Sequence, residues 1–460
     1  MVVIVGGGIT GLSAAWFLHQ KGVRVRLLEA APRLGGVIDS ARDNEGFLVE
    51  RGPNSTLQKP GTADDALGRL VAGAGLEDRL VEAGQAGRKR YVLRGGRLQA
   101  LPGGPPGFLT TKLFSWRAKA RLLREPFIGR AAEEESIALF VERRLGREFL
   151  DYAVEPFISG VYAGDPAALS VRAAVPRIYE LERAHGSLIR GAIALGKAAK
   201  GAGTPAGRMV SFDRGMGVLP EGVGAALPEG AWRSGCRAVA LRPFGFKGWE
   251  VAWEGPGESG VERARTVILA LPAGAAADLV GPQSKAAAQI LRSIAYASIA
   301  SLAFGYDRDQ VGHPLDGFGF LAPRREGLRV LGGLFSSTLF AGRAPDGRVL
   351  ITAFIGGTTD PAAAALDDEE LAGCVRDDLA RALDIRGQPA FQRITRYAAA
   401  IPQYTLGHLD RLAELDRALE PLTGLHLQAS WRGGVSVADC IRNAEALAHR
   451  IADAPVGVAA

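Results

Sequence analysis

The first thirty residues combine two short apolar runs with a helical segment between them. Residues 2–5 form a continuous apolar run typical of a buried strand, residues 10–21 have helical periodicity, and residues 23–29 form a second strand-like run. A strand, a helix and a second strand in this order predict one β-α-β unit. The pattern therefore predicts a doubly wound α/β domain at the start of the chain.

The middle of the chain changes to a helical pattern. From about residue 109 to residue 200 charged residues are frequent, and Phe140, Leu145 and Leu150 recur among them as a surface helix requires. Residues 201–207 are mostly small and have the composition of a linker. We therefore expect a helical insertion that ends near this linker.

Strand-like runs dominate the second half of the chain. Runs at 239–241, 249–253 and 266–271 suggest a meander, and residues 296–354 are again rich in strand formers and turn signals. The second half is therefore expected to supply further β-sheet.

Size and charge limit the classes of function. With 460 residues, 47% of them hydrophobic, the chain can bury the cores of two or three domains. A net charge of +6 and a pI near 9.3 favour anionic partners, such as acidic small molecules or anionic lipid, and do not indicate nucleic acid. The three cysteines lie far apart and the histidines lack metal-ligand spacing, so we predict a reducing compartment, no disulfide and no metal site.

The N-terminal apolar segment is expected to be a strand and not a signal peptide. It lacks a basic region and runs directly into glycines that the fold needs. The longest apolar runs elsewhere are too short, or too often broken by proline and glycine, to span a bilayer. We expect a cytoplasmic protein, and any membrane contact should be peripheral, on the inner face of the cell membrane.

A dinucleotide-binding motif joins the first strand to the first helix. Gly6, Gly8 and Gly11 form GxGxxG, and Glu29 ends the second strand. Gly6 permits the tight turn, Gly8 lets the backbone approach a pyrophosphate, and Gly11 allows close helix packing. Glu29 would accept hydrogen bonds from the ribose. The alternative, a glycine turn in an unrelated fold, does not explain why strand, helix, strand and acid are all in register.

The motif alone does not separate FAD from NAD. A second glycine pair, Gly35-Gly36, follows Glu29 and could bring another backbone segment to the diphosphate, although glycine pairs are common in loops. Further motifs extend along nearly the whole chain: GGGITGL (6–12), EAAPRLGG (29–36), ERGPNS (50–55), GVYAGDP (160–166), HGSLIRGA (185–192), FGF (318–320), FSS (335–337), PQYTLGH (402–408) and GGVSVADC (433–440). With these motifs the sequence resembles the protoporphyrinogen oxidase family of FAD enzymes, which is related to monoamine oxidase-like flavoproteins.

The resemblance implies a domain organisation. It implies a Rossmann-like FAD-binding domain, a mixed-sheet substrate domain and a helical, membrane-associated insertion. We expect the FAD-binding domain to comprise residues 1–80, 206–272 and 399–460, the substrate domain residues 81–108 and 273–398, and the insertion residues 109–205.

The resemblance also implies which residues hold the cofactor. FAD would be bound without a covalent link and would carry the redox chemistry, so no catalytic side chain is assigned. Gly52 to Ser55 would line the flavin, Ala238 would meet the adenine through its backbone, and Trp431 with residues 435–437 would close over the cofactor. The expected cofactor-binding residues are Gly6, Gly7, Gly8, Ile9, Thr10, Gly11, Glu29, Ala30, Arg33, Gly35, Gly36, Val37, Gly52, Pro53, Asn54, Ser55, Ala238, Trp431, Val435, Ser436 and Val437.

Three residues are candidates for binding the substrate. Arg90 matches the arginine that binds a propionate in the family, and Leu334 and Leu350 match positions that sandwich the macrocycle. A propionate entering an apolar pocket needs a cation to offset its desolvation. Arg90 could instead belong to a solvated charge run, and the two leucines could instead be ordinary core residues.

The implied reaction is the oxidation of protoporphyrinogen IX to protoporphyrin IX by O2, with release of hydrogen peroxide, in haem biosynthesis. The same fold could instead oxidise coproporphyrinogen III, which carries two more carboxylates. A porphyrin-holding flavoprotein without turnover is a third possibility. The sequence leaves the oligomeric state open, a homodimer included.

A basic stretch between residues 112 and 128 is a candidate for contact with an anionic membrane surface. Cations and apolar residues alternate there, as in segments that lie in a lipid interface. An ordinary solvated helix explains the pattern equally well, and the family resemblance favours the membrane. The residues are Lys112, Arg117, Lys119, Arg121 and Arg124, interleaved with Phe114, Trp116, Leu122, Leu123 and Phe127.

Overall fold

The computed structural model describes residues 1–202, 207–245 and 248–454. Of the predicted linker, residues 203–206 lie outside the described residues. The described strands form two main sheets and three small ones. In chain order they are β1 (Val2–Val5), β2 (Val25–Leu28), β3 (Ser40–Arg42), β4 (Leu48–Glu50), β5 (Thr56–Gln58), β6 (Leu80–Glu82), β7 (Tyr91–Arg94), β8 (Arg97–Ala100), β9 (Arg208–Phe212), β10 (Trp232–Arg233), β11 (Arg237–Phe244), β12 (Gly248–Gly255), β13 (Glu258–Ala264), β14 (Thr266–Leu269), β15 (Tyr296–Asp307), β16 (Gly319–Leu321), β17 (Val330–Leu334), β18 (Arg348–Gly356), β19 (Phe391–Pro402) and β20 (Leu425–Leu427).

The described helices cover the sheets and build a separate helical region. They are α1 (Ile9–Gln20), α2 (Ala66–Gly73), α3 (Pro105–Thr110), α4 (Trp116–Arg121), α5 (Ile137–Arg144), α6 (Arg147–Phe149), α7 (Glu155–Tyr162), α8 (Val171–Ala174), α9 (Pro176–His185), α10 (Leu188–Ala202), α11 (Val218–Ala225), α12 (Ala273–Val280), α13 (Lys285–Arg292), α14 (Ser336–Leu339), α15 (Asp368–Leu383), α16 (His408–Leu419) and α17 (Val437–Ala452).

The first main sheet is parallel and is assembled from distant parts of the chain. Its strand order is β10-β2-β1-β14-β20. One face packs through Val2, Ile4 and Ile268 against α1, α2, α11 and α17. The opposite face, including Val3 and Val267, packs against α12, α13, α16 and the antiparallel strands β11 and β12. Because both faces are covered, the strands read as continuous apolar runs, and the predicted α/β fold with a Rossmann-type parallel sheet is confirmed.

The second main sheet has seven strands in the order β19-β15-β18-β17-β16-β7-β8. It is mixed, because β16 pairs with β7 in parallel while the other neighbours are antiparallel. One face is covered by α15, whose Leu371, Val375 and Leu379 are buried against Ile351 and Ala353 of β18. The sheet contains both the hairpin β7-β8 and the strands β15 to β19, so chain segments far apart in sequence meet in it.

A buried ionic cluster holds the helical region together. Arg144 of α5 is fully buried, with Nε 2.6 Å from an oxygen of Glu182 and Nη1 3.1 Å from an oxygen of Glu125. Glu125 also accepts the amides of Leu188 and Ile189, at 2.8 and 3.2 Å, in the first turn of α10. The cluster therefore ties α5, α9 and α10 to the segment around Glu125. In the described part of the chain no helix is both long enough and apolar enough to span a bilayer.

Two expectations about the elements are corrected. Residues 266–269 do not belong to the meander, because β14 pairs in parallel with β1. The meander is β11-β12-β13, and its third strand, β13, has a charged sequence that gave no strand signal. Phe140, Leu145 and Leu150 do not share one helix, because Gly146 has a φ of +97° and ends α5 before α6 begins.

The basic stretch between residues 112 and 128 is only partly exposed. Lys119 is buried and donates to the carbonyls of Leu109 and Thr111, at 2.8 and 2.7 Å. Arg121 donates to carbonyls at the end of α5, where a cation stabilises the last turn. Lys119 and Arg121 therefore already form hydrogen bonds within the protein. Of the apolar residues, Phe114 is buried and Leu122 is half-buried, whereas Trp116, Leu123 and Phe127 are exposed.

We predict that Arg144→Met destabilises the protein by about 3–5 kcal/mol, because it leaves two carboxylates buried without their cation. The midpoint of thermal unfolding measures the effect. Arg147→Met is the control: that side chain is 69% exposed and pairs with Asp151, so its loss should cost less than about 1 kcal/mol. Equal shifts for the two variants would contradict the prediction.

Candidate dinucleotide and substrate sites

The backbone crossing at the start of α1 allows only glycine. Gly6 follows β1 with a φ of +105°, and a Cβ there would lie 2.5 Å from the carbonyl oxygen of Ala270. A Cβ on Gly11 would lie 1.9 Å from the carbonyl oxygen of Gly6. Any side chain at either position would collide with backbone. The two glycines therefore let α1 start directly against the ends of β1 and β14.

Gly8 differs from its neighbours because it faces open space. It is the N-cap residue of α1, with φ −68° and ψ 176°, a conformation open to any residue. A Cβ built on Gly8 meets no described heavy atom within 4 Å. The first amides of a helix have no intrahelical partner and attract anions. A pyrophosphate would fit above Gly8 and Ile9.

Glu29 lies beside this helix start at the end of β2. Its Oε2 accepts the amide of Gly7 at 2.6 Å, and its Oε1 accepts the amide of Ala31 at 2.7 Å. An ionised carboxylate can accept about four hydrogen bonds, so capacity remains for ribose hydroxyls. The backbone oxygen of Glu29 accepts the amide of Cys236 at 2.8 Å, which brings Ala238, two residues further along, to the same edge. Ala30 is exposed next to Glu29.

A second glycine loop adjoins the start of α1. The amide of Gly35 donates to the Gly7 carbonyl at 2.8 Å, and a Cβ on Gly36 would lie 3.3 Å from the Cα of Gly8. Arg33 braces this loop, donating to the carbonyls of Gly36 at 2.7 Å and Ile38 at 3.0 Å. The guanidinium of Arg33 thus holds the loop, while Val37 at its tip is exposed.

The turn after β4 packs onto that loop. A Cβ on Gly52 would lie 1.9 Å from the carbonyl oxygen of Val37, so only glycine fits there. Pro53, Asn54 and Ser55 follow and are all half-buried. The turn therefore stands next to the second glycine loop, with side chains that are still partly accessible.

The last element to reach the site is the N-terminus of α17. Ser436 caps this helix by accepting the amide of Asp439 at 3.1 Å, and Val437 is buried. Val435 is half-buried. Trp431 is fully buried and its indole donates to the Leu271 carbonyl at 3.0 Å, so its side chain belongs to the core and only its backbone remains for a cofactor.

The residues present fit the adenosine diphosphate half of a dinucleotide. The start of α1 is open above Gly8, an acid stands beside it, and three further segments converge on the same edge of the parallel sheet. Thr10 is buried in the first turn of α1, and α1 packs against α17. The structure therefore gathers the predicted cofactor residues from four distant parts of the chain.

Arg90 and Leu334 come together at one end of the mixed sheet. The Arg90 guanidinium carbon lies 5.1 Å from the centre of the Phe318 ring, and the next residue, Gly319, is in register with Leu334. Arg90 is exposed and Leu334 is half-buried. Within the described ranges no carboxylate lies within ion-pair distance of Arg90. The two predicted substrate residues thus lie on either side of residues 318–319.

Lys89 and Leu350 have different surroundings. Lys89 Nζ lies 2.6 Å from Asp316, whose other oxygen accepts the Tyr91 hydroxyl at 2.5 Å. These hydrogen bonds lower the pKa of the Asp316 carboxyl, so Lys89 faces a charged partner.

Leu350 is 1% exposed and packs in a core cluster with Phe47, which gives it the environment of a core residue.

Sequence reasoning missed a buried ion pair that joins β4 to the segment before β18. Glu50 and Arg343 lie 2.7 Å apart and are almost fully buried. Glu50 also accepts the Met216 amide at 2.9 Å, and Arg343 donates to Ser211 at 2.7 Å. Glu50 stands in the motif ERGPNS, but neither its partner nor its burial is visible from the sequence.

Nearly the whole chain matches one protein family. The family model described as flavin-containing amine oxidoreductase matches residues 9–452. A crystal structure from Exiguobacterium sp. 255-15, provisionally named as a protoporphyrinogen oxidase, superposes with a TM-score of 0.82 at 25% identity and covers 98% of both chains. Cyclohexylamine oxidase from Brevibacterium oxydans shares the fold, with a TM-score of 0.69 at 16% identity over 98% of both chains.

Curated relatives match over similar lengths. A chloroplastic protoporphyrinogen oxidase from Oryza sativa is 35% identical over 98% of this chain and 88% of its own length. A coproporphyrinogen III oxidase from Bacillus subtilis is 30% identical over 97% of this chain and 96% of its own. Both similarities extend through the parallel sheet, the mixed sheet and the helical region.

We predict that Gly8→Val abolishes FAD binding while the protein stays folded. The new side chain meets no protein atom but fills the space where a pyrophosphate would approach the backbone. The flavin absorbance of the purified protein and its far-ultraviolet circular dichroism measure the two effects. The control is Gly274→Val, in the first turn of α12, whose Cβ also meets nothing within 4 Å. A Gly8→Val protein that remains yellow would refute the placement of the pyrophosphate.

Proposed function

Because this chain belongs to the family of flavin-containing amine oxidoreductases, we propose that it oxidises a porphyrinogen to a porphyrin in haem biosynthesis. The chain is an FAD-dependent oxidoreductase, and FAD is its cofactor. The observation that carries the proposal is the 35% identity, over 98% of the chain, to a protein named protoporphyrinogen oxidase. Protoporphyrinogen IX is the proposed substrate and protoporphyrin IX the product.

The chemistry that bound FAD supplies is two-electron oxidation, followed by return of the electrons to O2 as hydrogen peroxide. The protein itself has to hold the macrocycle against the cofactor and keep water away. We assign the adenosine end of the cofactor to Glu29 and to the start of α1. No side chain is needed as a nucleophile or a metal ligand.

Arg90 is the proposed anchor for a substrate propionate. A carboxylate leaving water needs a cation with which it forms charge-assisted hydrogen bonds. Arg90 has this capacity because Phe318 packs against its guanidinium and none of the described carboxylates forms an ion pair with it. Lys89 is a weaker candidate, since Asp316 already accepts from its ammonium group.

The sheet face next to Arg90 is apolar and half-buried. Leu334, Phe354 and Ile299 lie on this face of β17, β18 and β15, and Tyr397 stands in register with Ile299. Burial raises the pKa of Tyr397, whereas the charge of Arg33, which braces the second glycine loop, acts to lower it. An apolar face suits the vinyl side of protoporphyrinogen. We propose it as the surface that receives the ring, with Leu334 in contact and Leu350 supporting from the core.

Coproporphyrinogen III is the second candidate substrate. A protein from Bacillus subtilis named coproporphyrinogen III oxidase is 30% identical over 97% of the chain. Coproporphyrinogen carries four propionates, and each additional carboxylate in an apolar site costs several kcal/mol unless a cation meets it. The pairing of Lys89 with Asp316 disfavours this substrate.

We predict that protoporphyrinogen IX is oxidised with a higher kcat/KM than coproporphyrinogen III. Arg90→Ala should lower kcat/KM for protoporphyrinogen by roughly 10- to 100-fold, about 1.5–3 kcal/mol for one charge-assisted contact, while FAD stays bound. Steady-state rates on both substrates, with peroxide release followed, measure this preference.

The control is Arg97→Ala, an exposed arginine at the other end of the hairpin β7-β8. It should leave kcat/KM within about threefold of the wild type, because one surface charge at that distance is largely screened. Equal or faster turnover of coproporphyrinogen would reverse the proposed preference, and an unaffected Arg90→Ala would remove Arg90 from the site.

We also propose that the protein contacts an anionic membrane surface with part of the helical region. Trp116, Leu123 and Phe127 are 72%, 77% and 83% exposed, which is unusual for large apolar side chains. The exposed cations Lys112 and Arg124 lie in the same stretch. Apolar side chains beside cations gain both from burial among acyl chains and from anionic headgroups.

The remaining proposals concern location and assembly. We propose that this contact is with the inner face of the cell membrane, from the cytoplasm. The homodimer stays a prediction, which the molar mass in solution would test.

We predict that the protein pellets with anionic vesicles at low salt and is released by salt together with mild detergent. Replacing Trp116, Leu123 and Phe127 by serine should abolish pelleting. The control replaces Val239 and Val261, exposed residues of β11 and β13, by serine and should change nothing. Full recovery of the wild type in the supernatant would contradict membrane contact.

A further inference from the structure

The turn between β20 and α17 is held at both ends by one side chain from another part of the chain. Tyr404, just after β19, is 2% exposed. Its hydroxyl donates to the carbonyl of Ser430 at 2.6 Å and accepts the amide of Gly434 at 2.9 Å. One oxygen atom therefore closes the turn that leads to the cap of α17.

The turn depends on these hydrogen bonds because its two glycines can adopt many backbone conformations. Gly433 and Gly434 have φ values of +82° and +130°, which glycine adopts without strain but also leaves easily. A shared hydrogen-bond partner for Ser430 and Gly434 removes that freedom. The direction in which the chain enters α17 is then set by the position of Tyr404.

His408 holds Tyr404 in place. The two rings are stacked, with their centroids 4.3 Å apart and their planes 12° from parallel. His408 Nε2 donates to the carbonyl of Trp431 at 3.0 Å, inside the same turn. Burial lowers the pKa of His408 to about 4, so the ring is neutral near pH 7.

The backbone around Tyr404 is fixed from the helical region. The carbonyl of Tyr404 accepts the amide of Ser170 at 2.8 Å, and the amide of Leu406 donates to the carbonyl of Ala168 at 3.1 Å. Tyr404 therefore connects the helical region with the flavin-binding region. Its hydroxyl can hold the turn because its own main chain is anchored elsewhere.

We propose that Tyr404 is a positioning residue for the flavin. Its hydroxyl fixes the turn at 430–434, and the turn fixes residues 435–437 at the start of α17. The inference rests on the proposed contact of residues 435–437 with the cofactor, and not on the identity of the porphyrinogen. Loss of the hydroxyl releases the turn without emptying any volume, since the ring and its stacking remain.

The test is Tyr404→Phe in the full-length holoprotein, with Tyr162→Phe as the matched control. Tyr162 is also buried, and its hydroxyl donates to the Ala174 carbonyl at 2.8 Å within the helical region. Tyr404→Phe should raise the FAD dissociation constant about tenfold, equivalent to about 1.4 kcal/mol, and shift the visible flavin absorption bands. Tyr162→Phe should leave both at their wild-type values.

Either of two results would overturn the proposal. One is a Tyr404→Phe protein with the affinity and flavin spectrum of the wild type, and the other is an equal loss of affinity in both variants, which would assign the effect to general stability. Because FAD titration uses no porphyrinogen, a wrong substrate assignment would leave these readings intact. Thermal unfolding in the presence and absence of FAD separates a folding defect from a binding defect.

Discussion

The close approach of α1 to β1 is the constraint on which the site depends. A Cβ on Gly11 would lie 1.9 Å from the Gly6 carbonyl oxygen, so the helix can begin where it does only with glycine at this crossing. That contact puts the helix N-terminus at the carboxyl edge of the parallel sheet, where ligands of such folds bind. The loop around Gly35, the turn at Gly52 and the start of α17 then pack around the same point.

The sequence predicted the elements whose signal is local. The unit β1-α1-β2 follows from apolar runs and glycine spacing, and the structure has it within about two residues of the predicted limits. Elements that depend on distant partners were missed or misassigned. The two residues of β10 are too few for a periodic signal, and β14 joins the parallel sheet only because β1, more than two hundred residues earlier, lies beside it.

The same distinction applies to the side chains. Charge and hydropathy do not reveal that Lys119 is buried on two carbonyls while the nearby Trp116 is exposed, because both outcomes depend on the packing of α4. Lys89 and Arg90 are adjacent cations in the sequence, yet Asp316, contributed from another strand connection, pairs with only one of them. The residue types therefore indicated that a cation is available to bind a carboxylate. Tertiary contacts determined which of the two adjacent cations remains unpaired within the described part of the chain.

The ion pair of Glu50 and Arg343 shows how β4 and the segment before β18 can be held at a fixed separation. Moving a pair of charges out of water is costly, and here the cost is offset by additional hydrogen bonds to Ser211 and to the Met216 amide. An apolar contact can slide with little loss of free energy, whereas this network loses hydrogen bonds when either partner moves. Glu50 directly precedes the turn at Gly52, and Arg343 precedes β18, which carries Phe354. The network therefore couples the turn beside the cofactor site to the sheet proposed to receive the substrate.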